Sequence, residues 1–362
     1  MAHHHDASRH GVDRGAAVAF RLSRFSGPYR QRLLDGLKDL NDFCKTSRNI
    51  TLEKIAAKPK TADAVLSEYV MCRFEDNTGV GLSKVKHALL GAQHTFPGLK
   101  GRLVTTWSNL KTWEEQRIAR LRPPLPVAIW VLALGLARGH ARTSKGRKEQ
   151  HIWYIFATLM EIGLLCMLRP GELLSLTHND LALPGSFVVG ALRITSPKNR
   201  RQFGESQFVL VKNCNTIYWL SQMHQQGCTK PLWPSTAREF GRRFKQIMSE
   251  LGVEACGFTP GSLRPGGATM FYNQNVPIST LRFMGRWTVE KSLEHYIQLA
   301  MATQILNKLD QSVVSRLSKL APLCLSCVFE DSKLLENLGP LPGKKSSPAV
   351  IVAWCDAYAK LA

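Results

Sequence analysis

Residues 262–297 read SLRPGGATMFYNQNVPISTLRFMGRWTVEKSLEHYI. This segment carries Arg264 near its start and Trp287 toward its end, and Tyr296 follows the tryptophan by nine residues. We expect three short helices here, over residues 262–275, 277–285 and 289–299, the last of which holds the tyrosine. The arginine and the phenol are therefore expected on the first and third of these helices, with the indole donor between the second and the third.

Two upstream segments carry further charged side chains. The sequence LRPGEL at residues 168–173 contains Arg169 and Glu172, and SPKNRR at residues 196–201 contains Lys198. Guanidinium groups stay charged and offer paired donors to phosphate oxygens. A lysine can supply a proton, an indole N–H can donate a hydrogen bond, and a tyrosine can attack phosphorus. Together these residue types suit the breaking of a phosphodiester without a metal.

The composition favours a polyanionic partner. The 362 residues include 48 Lys and Arg against 27 Asp and Glu, with a pI near 9.8. Nucleic acid is the first candidate for such a partner and an anionic membrane surface the second. The longest apolar runs are too short to span a bilayer. Nine scattered cysteines indicate reduced thiols and an intracellular protein, which would be nuclear if the source is eukaryotic.

The pattern along the chain predicts a mainly α protein with a small β-hairpin or sheet, an α+β fold class. Three prolines within residues 120–126 (RLRPPLP) cannot continue a helix and mark a linker. Strand-like residues at 187–194 and 206–212 flank a basic loop and predict the hairpin. The expected parts are a disordered tail over 1–16, a helical domain over 17–119, the linker over 120–126, a catalytic domain over 127–300 and a C-terminal helical tail over 301–362.

Basic side chains on the helices and at the hairpin tip are candidates for contacts with DNA phosphates, although a solvated helix face is the plainer reading of each. These candidates are Lys84, Lys86, Arg200, Arg201, Arg238, Arg242, Arg243 and Lys245. The apolar helix expected over residues 349–361 has two possible docking sites, its own chain or a neighbouring subunit. We adopt the neighbouring subunit as the prediction.

Residues 164–180, 196–204 and 258–297 together resemble the tyrosine recombinase, or phage integrase, family. In that family an Arg followed three residues later by an acid opens the catalytic domain, and Arg169 and Glu172 match it here. A lysine at a hairpin tip, a second Arg at a helix start, and a His or Trp nine residues before a Tyr follow in the same order. The resemblance covers about residues 20–300. The sequences GGAT and GRW are more similar to a eukaryotic mobile-element branch of the family than to a bacterial integrase.

The resemblance implies a helical core-binding domain followed by a catalytic domain. It also implies catalytic roles for Arg169, Lys198, Arg264, Trp287 and Tyr296. Glu172 would either orient Arg169 or cap its helix. The family's second motif usually reads His-x-x-Arg, and Gly261 stands at the histidine position here. The neighbouring side chains that we consider as replacements for this histidine are Arg286 and His295.

The activity implied is cleavage and rejoining of double-stranded DNA through a 3′-phosphotyrosyl intermediate, as in site-specific recombination or integration. It needs no metal, ATP or other cofactor, and recombination would assemble four protomers on DNA. One alternative is a catalytically degenerate DNA-binding protein of the same fold. A second is a topoisomerase of the related type IB, and a third, outside nucleic acids, is a helical scaffold with a chance basic charge.

Overall fold

The computed structural model describes residues 14–76, 81–116, 122–184, 189–195, 197, 206–328, 341–343 and 346–360. The chain forms two compact units that divide between Arg120 and Leu121. The described residues are mainly helical and include one small antiparallel sheet, which confirms the predicted fold class. None of the described helices has both the length and the apolar character needed to cross a membrane.

Helices are the only regular elements among the described residues of the N-terminal unit. Its longer helices are α1 (Arg14–Ser23), α2 (Gly27–Arg48), α3 (Leu52–Ala56), α4 (Pro59–Glu75), α5 (Leu82–Thr95) and α6 (Val104–Gln116). Two glycines allow α2 and α5 to pack backbone against backbone. A Cβ on Gly36 would lie 2.6 Å from the backbone nitrogen of Ala88, and one on Gly91 would lie 2.8 Å from the carbonyl oxygen of Leu33.

The C-terminal unit carries the remaining helices and the sheet. The helices are α7 (Val127–Thr143), α8 (Arg147–Leu165), α9 (Pro170–Ser175), α10 (Cys214–Met223), α11 (Ala237–Leu251), α12 (Leu263–Asn273), α13 (Ile278–Met284), α14 (Glu290–Glu294), α15 (Leu299–Asn307), α16 (Gln311–Val328) and α17 (Pro348–Lys360). Helices α7 and α8 are apolar on nearly every face, so other elements surround them.

The sheet has the order β1-β2-β3, with β1 at Leu181–Ala182, β2 at Gly190–Ile194 and β3 at Gln207–Val211. Strands β2 and β3 pair antiparallel, which confirms the predicted hairpin. The two-residue strand β1 was not predicted, because so short a segment shows no alternation of apolar and polar residues. Lys198, Arg200 and Arg201, which the sequence predicts at the hairpin tip, lie outside the described residues.

The C-terminal helix α17 packs on α7 of its own unit, which corrects the prediction that it docks on a neighbouring subunit. The Tyr358 hydroxyl donates to Glu161 Oε1 at 2.7 Å, and Arg138 Nη2 lies 2.5 Å from Glu161 Oε2. All three side chains are buried, as is Trp354. A buried carboxylate needs such partners, so Glu161 joins α17 to the core of its own unit through Tyr358.

Helix α12 crosses α8 at a distance that only glycine permits. A Cβ on Gly267 would overlap the carbonyl oxygen of Leu164, and one on Gly163 would lie 2.9 Å from Cδ1 of Leu263. The crossing brings the first turn of α12, with Arg264, beside the turn that follows α8. That turn leads directly to Arg169, so two distant segments of the chain meet here.

Candidate active site

Arg264 lies in the first turn of α12 and is only 2% exposed. Its Nη1 donates to the carbonyl oxygen of Met167, and its Nη2 donates to that of Gly285 at 2.7 Å. These bonds fix the guanidinium between the turn after α8 and the turn after α13. Arg264 is therefore rigidly placed, with little of its surface open to solvent.

The rings of Trp287 and Tyr296 cover this guanidinium. Arg264 Cζ lies 4.3 Å from the Trp287 ring centroid and 5.3 Å from that of Tyr296, and the two rings are 5.2 Å apart. A cation over an aromatic face is attracted by the ring quadrupole. Arg264, Trp287 and Tyr296, which are apart in the sequence, are thus in direct contact.

Tyr296 does not lie on a helix, although the sequence predicts one over 289–299. Helix α14 ends at Glu294, and α15 begins at Leu299. Thr269 Oγ1 donates to the carbonyl oxygen of Tyr296 at 3.1 Å and accepts from the backbone N–H of Gln298 at 3.1 Å. This side chain of α12 takes over the hydrogen bonding that a continuous helix would supply, so a tertiary contact overrides the local helical pattern.

Glu172 joins two arginines. Arg169 Nη1 donates to Glu172 Oε1 at 2.6 Å, and the Arg169 backbone N–H donates to Oε2 at 3.0 Å. Arg286 Nη2 donates to the same Oε2 at 2.8 Å. Because Arg169 is the N-cap of α9, the carboxylate both caps the helix and orients the guanidinium. The two roles that the sequence left open for Glu172 are combined in one side chain.

The turn at residues 285–287 depends on an unusual backbone. Arg286 has φ of 58°, in the left-handed region that favours glycine. Its buried guanidinium reaches Glu172 and lies 3.5 Å from the carbonyl oxygen of Cys166. A Cβ on Gly285 would overlap the six-membered ring of Trp287. This turn therefore brings Arg286 to the carboxylate while the indole folds back toward Arg264.

Charge is strongly coupled across the cluster. Burial, followed by the positive charges of Arg169 and Arg286, lowers the pKa of Arg264 from 12.5 to about 9, although Glu172 and Tyr296 act in the opposite direction. Burial alone would raise the pKa of Glu172, but the charge of Arg286 and the bonds and charge of Arg169 hold it below 4.5. Arg169 and Arg286 share the carboxylate of Glu172, and Arg264 bonds no carboxylate among the described residues. The cluster therefore carries an excess positive charge that an anion would neutralise.

Three buried donors in the cluster lack a hydrogen-bond partner among the residues that the structure describes: Trp287 Nε1, Arg264 Nε and Arg286 Nε. An unpaired buried donor costs about 1–3 kcal/mol, so such groups are uncommon in folded proteins. Their concentration beside one guanidinium cluster is typical of a site prepared for an oxyanion.

The other predicted site residues have different surroundings. His295 is exposed, and its side chain makes no hydrogen bond or ion pair with the described residues of the cluster. Gly261 is buried, and its nearest non-local neighbour is the guanidinium of Arg122. Sequence reasoning placed Arg122 in the linker and gave it no role. Lys198 lies outside the described residues, so its assignment stays a prediction.

Arg243 was predicted to contact DNA, and the structure buries it instead. It is 4% exposed, and its Nη1 and Nη2 donate to the two carboxylate oxygens of Glu149 at 2.7 and 3.1 Å. Its Nε donates to Glu239 at 3.0 Å, and its Cζ lies 4.6 Å from the Trp153 ring centroid. The charge is satisfied within the fold, because Arg243 lies on the face of α11 that packs against the core.

The other described basic candidates lie at the surface, and most of them are paired with acids. The observed pairs are Lys84 with Asp39 at 3.3 Å, Lys86 with Glu114 at 2.5 Å, Arg242 with Glu239 at 2.7 Å and Lys245 with Glu254 at 3.0 Å. Arg238 is exposed and makes no ion pair with a described residue. Exposed pairs of this kind exchange partners at low cost, so these side chains remain available to phosphates.

No protein-family model matches the chain, and no curated protein matches it. Among solved structures, XerH site-specific recombinase in a post-cleavage complex with a palindromic difH substrate has 14% identity and a TM-score of 0.44, over 82% of this chain and 93% of that chain. XerH bound to difH in a pre-cleavage complex has 12% identity and a TM-score of 0.43, over 83% and 92%. XerA recombinase has 14% identity and a TM-score of 0.38, over 82% of this chain and 98% of that chain. At these values the likeness is distant.

Proposed function

We propose that the protein cleaves and rejoins DNA strands through a covalent 3′-phosphotyrosyl intermediate, as a tyrosine recombinase. The observation that carries the proposal is the contact of Arg264 with both Trp287 and Tyr296, beside the Arg169–Glu172 pair. Residues from distant parts of the chain meet in one cationic cluster next to a phenol. Such a cluster has the groups needed to hold a phosphodiester and attack it.

In this mechanism Arg169 and Arg264 hold the non-bridging oxygens of the scissile phosphate. The charge that develops on those oxygens is stabilised by fixed guanidinium donors, and the indole N–H of Trp287 adds a further donor. Tyr296 releases its phenolic proton to solvent as it attacks phosphorus, and the 3′-phosphotyrosyl bond forms while the bond to the 5′-oxygen breaks. Glu172 and Arg286 keep Arg169 in place and do not touch the substrate.

Lys198 gives a proton to the departing 5′-oxygen. A 5′-hydroxyl then attacks phosphorus and returns its proton to Lys198, while Tyr296 leaves and takes up a proton from solvent. The phosphodiester energy is conserved and no cofactor is consumed. Exchange between two duplexes requires four protomers on double-stranded DNA, and a mobile-element context would suit such a reaction. Because α17 is occupied in cis, the contacts between protomers would use other surfaces.

Substrate binding must change the local geometry. Arg264 is 2% exposed, and the Tyr296 ring lies over it. A phosphate oxygen reaches this guanidinium only when the ring moves aside, which also frees the phenol to point at phosphorus. Tyr296 lies in the turn between α14 and α15, outside both helices.

Covalent trapping tests the proposal. Nicked duplexes of varied sequence lose the short downstream strand after attack, so an active protein accumulates as a DNA adduct. Wild type should form the adduct, Tyr296→Phe should form none, and Arg169→Ala and Arg264→Ala should bind duplex but cleave about 10²–10³-fold more slowly. If Tyr296→Phe formed the adduct as wild type does, the assignment of Tyr296 as the nucleophile would be wrong.

Lys198 needs a separate experiment. With Lys198→Ala, cleavage of a normal 5′-oxygen should slow, whereas a substrate with a better leaving group should cleave at the wild-type rate. Equal slowing on both substrates would exclude the general-acid role.

Two other functions share parts of this site. Gly261 and the burial of Arg264 favour a DNA-binding protein that has lost the chemistry, which would bind duplex but form no adduct. A type IB-like topoisomerase would form the adduct and relax supercoils as a monomer without exchanging strands. Supercoil relaxation and strand exchange measured on the same preparation therefore separate the three.

A further inference from the structure

We propose that Arg122 supplies the phosphate-contacting donor that Gly261 lacks, as an additional catalytic residue. The proposal rests on the proposed function, because it assigns a group to the same scissile phosphate. The residues involved belong to one compact unit, which begins at Leu121.

The geometry at Gly261 points to Arg122. A Cβ on Gly261 would lie 2.5 Å from Arg122 Nη1, 3.1 Å from Cδ and 3.2 Å from Cζ. The space into which a side chain at position 261 would extend is thus filled by a guanidinium. Gly261 itself is buried in the turn Pro260–Ser262, directly before α12. Arg264 follows Gly261 by three residues and lies in the first turn of α12.

The backbone after Arg122 is fixed to this segment. The Leu125 N–H donates to the carbonyl oxygen of Ser262 at 3.1 Å. A Cβ on Gly266 would lie 2.7 Å from the carbonyl oxygen of Leu125, so the two backbones touch. Leu125 is buried, and Pro124 and Pro126 restrict the chain on either side of it. Arg122 is therefore held over Gly261 by a stiff segment.

The charge of Arg122 is available to a ligand. Its side chain is exposed, and it forms no ion pair with any residue that the structure describes. Arg169 and Arg286, in contrast, share Glu172. A guanidinium donates hydrogen bonds as a protonated imidazole does, but it stays charged and relays no proton. Arg122 thus offers charge and a donor to a phosphate oxygen and takes no part in proton transfer.

A matched pair of variants separates this role from a general loss of charge. Arg316 is also an exposed arginine that lies on a glycine, since a Cβ on Gly252 would be 3.3 Å from its Nη1. Arg122→Ala should slow adduct formation by about 100-fold, and Arg316→Ala should not change it. Cleavage by Arg122→Ala at the wild-type rate would overturn the proposal.

A neutral phosphate gives a readout that a structural role does not affect. Once the cleaved position is mapped, a methylphosphonate at that position removes one negative oxygen. If Arg122 neutralises that oxygen, the difference between wild type and Arg122→Ala should shrink at least tenfold on this substrate. A difference of unchanged size would show that Arg122 acts only on the fold, against the proposal.

Substitutions at Gly261 test the same contact from the other side. Gly261→Ala should displace the flexible guanidinium while leaving every charge in place, and cleavage should fall with melting temperature unchanged. In the double variant that carries Gly261→His and Arg122→Ala, the imidazole should raise the cleavage rate at least tenfold above that of Arg122→Ala alone. If Gly261→Ala cleaves at the wild-type rate and the double variant shows no recovery, the assignment of Arg122 as a catalytic residue is contradicted.

Failure of this inference differs from failure of the proposed function. If wild type forms no adduct, the proposed function is overturned, and orthovanadate then tests Arg122 by itself. Orthovanadate, a tetrahedral oxyanion, should raise the melting temperature of wild type and of Arg316→Ala more than that of Arg122→Ala. An equal rise in all three proteins would overturn the role of Arg122.

Discussion

Trp287 buries an indole N–H that has no partner among the described residues, and its ring lies 4.3 Å from Arg264 Cζ. A phenylalanine would make the same cation contact without an unpaired donor. Leaving such a donor unpaired costs about 1–3 kcal/mol, so the fold alone does not favour tryptophan here. Under the proposed mechanism, a phosphate oxygen would pair with Nε1.

Substitution of Trp287 separates stability from activity. Trp287→Phe should change the free energy of unfolding by no more than about 1 kcal/mol, because removing the unpaired donor offsets the lost apolar contacts. Adduct formation should fall by about 10²-fold. Trp287→His keeps a ring N–H and should cleave faster than Trp287→Phe. Denaturant unfolding measures the free energy of unfolding, and covalent trapping measures adduct formation. Cleavage by Trp287→Phe at the wild-type rate would contradict the donor role.

Glu172 carries the only carboxylate that bonds the guanidinium groups of the described cluster. The pKa of this carboxyl is held below 4.5 because its charged form is favoured in the folded protein. A depressed acid stabilises the fold above the pKa of the unfolded chain, and this stabilisation is lost as the pH falls through the folded pKa.

The pH dependence of stability should show this linkage. Glu172→Gln should be about 1–3 kcal/mol less stable than wild type at about pH 7, because the buried Arg286 and the partly exposed Arg169 lose their charged partner. The difference should shrink as the pH falls below 4.5, because the unfolded wild-type chain takes up the proton first, and it should level off once the pH has passed the lower pKa of the folded state. Urea titrations at several pH values measure it. A difference that stays constant down to about pH 3 would contradict the charge-based account.

At the scale of elements, the site depends on the crossing of α12 and α8. The two backbones touch where a Cβ on Gly267 would overlap the carbonyl oxygen of Leu164. Arg264, one turn earlier on α12, then reaches the carbonyl oxygen of Met167 just after α8. The position of the guanidinium is therefore set by helix packing and not by the local sequence.

Glycine substitutions on two helices should have opposite effects. Gly267→Ala should lower the free energy of unfolding by about 1–3 kcal/mol, since backbone atoms must shift to admit the methyl group. Cleavage should fall with it, because Arg264 moves with α12. On α11, a Cβ on Gly241 would meet nothing within 4 Å. Gly241→Ala should therefore stabilise the protein by about 0.5–1 kcal/mol. Unchanged unfolding and cleavage in Gly267→Ala would show that the crossing is not tight.

At the scale of the whole molecule, a net charge of +21 favours a nucleic acid as the partner. The structure distinguishes cations that belong to the fold from those that face solvent. Arg243 is buried in an ion pair, whereas Arg238, on the same helix, is exposed and unpaired among the described residues. A total charge read from the sequence counts both equally.

Salt dependence of duplex binding should separate these two arginines. If the protein contacts about 6–10 phosphates, its affinity should fall about 10³–10⁵-fold between about 50 and about 200 mM salt. Arg238→Ala should reduce the slope of log affinity against log salt by about 1. Arg243→Ala should leave the slope unchanged and lower stability instead. Fluorescence anisotropy at several salt concentrations measures the slope, and a flat dependence would favour a helical scaffold with a chance charge.

The sequence by itself determined the features that depend on neighbouring residues. Helical periodicity and alternating β-branched residues identified a mainly α protein with one hairpin, because each local pattern matches the repeat of its element. The order of Arg169, Arg264, Trp287 and Tyr296 identified a candidate phosphate site, because those residue types define its chemistry. The composition identified the sign of the charge that a partner must carry.

Only the tertiary structure decided how those residues are used. It removed Tyr296 from a helix through Thr269, buried Arg243, held α17 in cis through Glu161 and placed Arg122 over Gly261. Each of these outcomes joins segments that are far apart in the chain. No local pattern encodes them, because burial and pairing depend on which surfaces meet when the helices pack.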